Sequence, residues 1–149
     1  MVRQYYRRNV WLMVLAGMMM MPINVAKLEA RDAMAQSLTG QAGDPARGKA
    51  IAADARKGNC IICHAMPIPE LSSDAFGNIG PSLAGIGSRL RAPQLRQRIV
   101  DPRILFSATV MPPYFATTGL RRVQTAYVGK TILSAQDVED LVAYLESLK

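Results

Sequence analysis

The stretch Cys60-Ile61-Ile62-Cys63-His64 constrains this chain more than any other. Two thiols separated by two residues, with an imidazole directly after the second, have the spacing of a c-type haem attachment site. The chemistry accounts for the pattern. The two cysteines form thioethers to the two vinyl groups of one haem, and the next residue is placed to offer its imidazole to the iron as proximal ligand. The chain has two cysteines and one histidine, and all three stand in this stretch. A structural zinc site needs four ligands, and no further Cys or His exists to complete one. A thioredoxin-like dithiol is expected inside a βαβ pattern, which the sequence lacks. The motif therefore predicts one covalent haem c on Cys60 and Cys63, with His64 on the iron.

With 149 residues, the chain has room for one domain and an extension. The extension reads as an export signal over residues 1–26. Arg3, Arg7 and Arg8 form a positive start, and Val10 to Met21 is an uncharged, mostly apolar run of twelve, closed by Pro22. A bilayer-spanning helix needs about 20 apolar residues, so the run fits a signal core better than a stable membrane span. Cleavage is expected after Ala26, or as late as Ala35 through Ala33-Met34-Ala35; retention as an anchor is the alternative. Arg7-Arg8 is also a twin-arginine pair. The net charge of +7 belongs partly to this segment. Removing residues 1–26 takes away three of eighteen basic residues and none but neutral ones besides, which leaves +4. That mild excess, with no Lys/Arg run longer than two, argues against nucleic acid as a partner.

Residues 27–43 are polar and rich in Ala, Gly and Gln, as in a linker or a loosely docked arm. The domain proper is expected over residues 44–149. Asp44-Pro45 has the chemistry of a helix start, and Ala46, Ala50, Ile51 and Ala55 recur at helical spacing until Gly58. After His64, prolines and glycines preclude a long element. Gly80-Pro81-Ser82-Leu83 is either an ordinary tight turn or the segment beside the proximal histidine, where the Pro81 carbonyl would accept from the imidazole Nδ1–H. A helix is predicted from Ala92-Pro93 to Asp101-Pro102, with Leu95, Ile99 and Val100 on one face. The last helix starts at Ser134, with Asp137 three residues on, and carries the apolar stripe Val138, Leu141, Val142, Leu145 and Leu148. The first and last helices are expected to cross and close the pocket.

A second axial ligand is sought among nine methionines. Six lie in residues 1–21, Met34 is near a cleavage point, and Met66 is too close to His64 to reach the opposite face. Met111 remains, 47 residues after His64 in the proline-braced loop Val110-Met111-Pro112-Pro113-Tyr114. A core-filling methionine is the alternative. Met/His ligation raises the iron potential and suits electron transfer. Arg121, Arg122 and Lys130 are either propionate partners or solvated surface charge.

This layout resembles an all-α class I cytochrome c domain. The strings Gly77-Asn78-Ile79-Gly80-Pro81-Ser82-Leu83, Leu95 to Pro102, Val110 to Tyr114, Gly119 to Val123 and Leu133 to Leu145 further resemble SoxX, the small monohaem subunit of the SoxAX cytochromes of thiosulfate oxidation. The resemblance covers roughly residues 45–149. It implies a periplasmic heterodimer with a SoxA-like c-type subunit that holds the reaction centre, and Met111 as the second ligand. It also implies that the complex oxidatively couples thiosulfate to a cysteine of the SoxYZ carrier, an L-cysteine S-thiosulfotransferase reaction. This subunit would pass electrons to a downstream cytochrome and would itself be non-catalytic. A freestanding soluble class I cytochrome c electron carrier is the alternative.

Overall fold

The computed structural model describes residues 34–149; the export segment and the cleavage point at Ala26 lie outside them. Among the described residues, four α-helices carry the fold: α1 (Pro45–Ala53), α2 (Ile86–Arg89), α3 (Ala92–Val100) and α4 (Ala135–Ser147). The described residues contain no strand, as expected of an all-α domain, and no helix long and apolar enough to cross a membrane.

Helix α1 starts where Asp44 places it. The Asp44 carboxylate accepts from the N–H groups of Ala46 and Arg47 at 2.8 and 3.1 Å, and Pro45 occupies the first turn. The helix ends at Ala53, earlier than the alanine spacing suggests, because the Asp54 N–H closes the last turn on Ala50 and Ile51. Its buried face also differs from the expectation. Ala46, Ala50 and Ala55 are exposed, and Gly48, Ile51 and Ala52 face the core. A short side chain is required at Gly48. A Cβ there would overlap the Asp140 carbonyl and sit 2.8 Å from the Tyr144 Cβ. The first and last helices therefore pack backbone to backbone at this point.

Helix α4 begins at Ser134 with a reciprocal cap: the Ser134 hydroxyl accepts from the Asp137 N–H at 3.1 Å, and the Asp137 carboxylate accepts from the Ser134 N–H at 3.0 Å. Val138, Leu141, Val142 and Leu145 are buried as expected, and Leu148 half-buried. Glu139 and Asp140 are buried too, at 4% and 2% exposure, and both are fully engaged. Glu139 receives the Arg96 guanidinium of α3 through two bonds of 2.7 and 2.8 Å, and the Leu38 N–H at 2.9 Å. Asp140 receives Arg47 through two bonds of 2.7 and 3.0 Å, and the Asp44 N–H at 2.8 Å. Arg96 also donates to the Met34 carbonyl, and Gln136 to that of Ala42. The arm over residues 34–43 is thus tied to the helices by hydrogen bonds along its length. Helix α2 lacks a sequence signal; it forms where the Gly87 N–H meets the Leu148 carbonyl at 2.8 Å.

The Arg47 hydrogen bonds hold the Asp140 carboxyl down to about 2, against the opposing effect of burial. Its folded value lies below the ordinary one, so its stabilisation is present above about pH 4 and is lost as pH falls toward 2. With Arg47 largely solvated, the loss is on the order of 1–2 kcal/mol. Asp140→Asn should lower stability at neutral pH and flatten this acid-side decline. Far-UV melts of both haem-loaded proteins from pH 5 to 2 measure the difference.

Candidate haem site

The attachment motif sits on a single tight turn. After α1 the chain reverses through Asn59, which is left-handed at φ 44°, and Cys60–Ile62 forms a 3-10 turn. The N–H groups of Cys63 and His64 both return to the Cys60 carbonyl, at 3.2 and 3.0 Å. This winding brings the two thiols and the imidazole to successive positions on one turn. Both thiols are free and half-buried. Burial pushes the Cys60 thiol up to about 11. A dithiol built for exchange lowers a thiol pKa to expose a thiolate, and the surroundings of Cys60 act in the opposite direction.

A second segment runs beside the motif and positions the histidine. The N–H groups of Gly77, Gly80 and Leu83 donate to the carbonyls of Ile61, Cys63 and Ala65, all within 2.8–2.9 Å. Two glycines make this approach possible: a Cβ on Gly77 would overlap the Ile62 carbonyl, and one on Gly80 would overlap the His64 ring. Pro81 is thereby carried to the imidazole, and its carbonyl lies 2.7 Å from His64 Nδ1. A carbonyl only accepts, so the neutral ring carries its proton on Nδ1 and keeps the Nε2 lone pair available.

Met111 stands on a separate stretch between Pro102 and Leu133. It is half-buried at the edge of the core, and its N–H donates to Thr109 Oγ1 at 3.1 Å. Met66, two residues past His64, is buried in the core. The ends of the Met111 loop are joined by Arg103. Asp101 holds its guanidinium with bonds of 2.8 and 2.7 Å, and the guanidinium donates to the carbonyls of Thr118 and Gly119 at 3.1 and 2.8 Å. Sequence reasoning missed this clasp, because Asp101-Pro102-Arg103 carries no sign of the carbonyls it will meet. It also missed the Tyr114 hydroxyl, which donates to the Gly58 carbonyl at 2.8 Å. Arg121, Arg122 and Lys130 are exposed, and their side chains make no hydrogen bond within the described residues.

These residues fit a haem. Two thiols and an imidazole with a free Nε2 stand on one turn, and a thioether stands on another segment at the core edge. Apolar side chains beside both lie open, among them Ile62 at 59%, Ile79 at 68% and Val110 at 82% exposure. Such side chains suit the faces of a macrocycle. No cluster of three or more metal-ligating His, Cys, Asp or Glu exists among the described residues.

The comparisons agree with this geometry. The cytochrome c family profile matches residues 45–149. No protein of curated function matches the chain. Among solved structures, the crystal structure of SoxXA from P. pantotrophus contains a similar chain, 35% identical with a TM-score of 0.68; the alignment covers 76% of this chain and 87% of that one. A cytochrome c domain carries covalent haem c, and Cys60 and Cys63 fit its attachment motif.

The contact between Gly80 and the His64 ring yields a test. Gly80→Ala should displace the ring or the segment carrying Pro81, at a cost of about 1–3 kcal/mol. A lower yield of haem-loaded protein and a lower melting temperature are expected, measured by haem absorbance per chain and by thermal melts.

Proposed function

The chain belongs to the cytochrome c family, and from that premise we propose that it is the electron-transfer subunit of a SoxAX-type complex. In this reading the complex works in the periplasm and couples thiosulfate oxidatively to a cysteine of a SoxYZ carrier. The observation that carries the proposal is the 35% likeness to a SoxXA chain over 87% of that chain's length. The bond-making step belongs to a larger SoxA-like c-type partner. Within the described residues, no cluster of three or more His, Cys, Asp or Glu that could hold a metal ion stands beside the attachment turn.

When bound, haem c supplies a one-electron iron couple. The protein's part is to hold and tune it. Cys60 and Cys63 anchor it covalently, so it is retained through every cycle. His64 serves as proximal ligand, with its Nδ1–H held by Pro81 so that the ring neither rotates nor changes tautomer. Met111 would hold the iron from the second segment. A thioether is a soft, neutral donor that favours the reduced metal and raises the potential. Held by His64 from one segment and Met111 from another, the group would be closed to small ligands and suited to accepting an electron and passing it to a downstream cytochrome.

Met111→Ala should retain covalent haem and lower the reduction potential by on the order of 100–300 mV, within the roughly 0.8 V that axial ligands span. Spectroelectrochemical titration measures this, and an unchanged potential would place another group on the iron. The subunit assignment is tested by affinity capture of the tagged chain from thiosulfate-oxidising cells, with intact masses and a haem count for each polypeptide. One haem on this chain and an equimolar larger c-type partner are expected. A lone monohaem chain would make it a freestanding electron carrier instead.

A further inference from the structure

We propose that Tyr114 is a positioning residue that holds Met111 in register with the haem-attachment turn. The inference rests on the reading of Met111 as axial ligand. Between Pro102 and Leu133, Tyr114 is the one buried residue. The loop around the methionine lies outward, with Ile104 at 62% and Phe106 at 54% exposure. A ligand loop has to keep its sulfur at a fixed place, and directional contacts do this better than apolar packing alone.

The contacts that set the loop's path converge on Tyr114. Its N–H donates to the Ile99 carbonyl of α3 at 3.1 Å, and its carbonyl accepts from the N–H groups of Ile132 and Leu133, each at 3.0 Å. Its phenol donates to the Gly58 carbonyl at 2.8 Å. Gly58 is itself fixed, since its N–H donates to the Ile51 carbonyl of α1 at 3.2 Å. One side chain thus spans from three residues after Met111 to two residues before Cys60. Packing alone tolerates sliding, whereas a hydrogen bond sets both distance and direction. Burial raises the phenol well above the ordinary tyrosine range, so it remains a neutral donor. The Arg103 clasp closes the ends of the loop and makes no contact with the attachment turn.

The test uses the full-length haem-loaded protein, its Tyr114→Phe variant and, in parallel, Met111→Ala. Tyr114→Phe keeps the ring and leaves the Gly58 carbonyl without its donor. That should open the loop about fivefold to a hundredfold more often. Imidazole should therefore bind the ferric protein faster by that factor. The sulfur-to-iron charge-transfer band should also vanish at a lower temperature than the helical signal, and the potential should fall. A purely structural tyrosine would lower band and helical signal together and leave the imidazole rate at the wild-type value, which would overturn the proposal. Met111→Ala separates the two readings. If it abolishes the band while Tyr114→Phe binds imidazole at the wild-type rate, positioning fails and ligation stands. If it leaves band and potential unchanged, ligation fails and positioning fails with it. Should Tyr114→Phe not mature, amide exchange of the wild-type protein decides. Protection of the Tyr114, Ile132 and Leu133 amides at the level of α3 supports the anchor, and exchange as fast as in residues 104–110 overturns it.

Discussion

The close contact between α1 and α4 is the constraint on which the rest of the structure depends. Helix α1 delivers the chain to Cys60, so the orientation of α1 decides where the attachment turn lies. That orientation is set where Gly48 meets the Asp140 backbone too closely for any side chain. Two adjacent carboxylates of α4 then lock the arrangement: Asp140 takes the start of α1 through Arg47 and the Asp44 N–H, and Glu139 takes α3 and the arm. Charges buried this deeply are costly unless paired and hydrogen-bonded. Both are satisfied by forked guanidinium contacts and backbone donors, which also makes the packing geometrically specific.

Around that frame the two sides of the site are built differently. The proximal side is rigid by backbone pairing. Three hydrogen bonds bind the Gly77–Leu83 segment to the motif, and two glycines let it approach, so Pro81 reaches His64 Nδ1 as a consequence of main-chain geometry. On the methionine side, main-chain bonds tie Tyr114 and Phe115 to α3 and Tyr114 to Ile132 and Leu133, and the link to the attachment turn is a side chain, the Tyr114 phenol reaching Gly58, with the Arg103 fork at the base of the loop. Under the proposed ligation, this asymmetry would keep the histidine in place and leave the thioether to set potential and access.

Much of the site was legible because its chemistry is local. Cys60, Cys63 and His64 stand together because their spacing serves one macrocycle; Met111 is proposed as their counterpart by excluding the other methionines. The starts of α1 and α4 were readable from Asp44-Pro45 and from Ser134 with Asp137, since caps act within a single turn. Less local features misled. The alanines of α1 have a helical period yet face solvent, because an alanine is small enough to sit on either face and the crossing selected Gly48 instead. Glu139 and Asp140 lie off the apolar stripe of α4, and their burial follows from partners 43 and 93 residues away in the sequence.

The sequence by itself determined the cofactor, its attachment points and the helical class. Covalent haem chemistry requires particular residue types at a fixed short spacing, and helix caps and apolar periodicity are written within a few residues. Only the tertiary structure decided that the Pro81 carbonyl meets His64, that the acidic pair of α4 lies inside, and that Tyr114 reaches Gly58. Each is a contact between segments far apart in the chain. Such contacts depend on how closely two backbones approach, a quantity set by the packing of the whole domain and by no local pattern of residues.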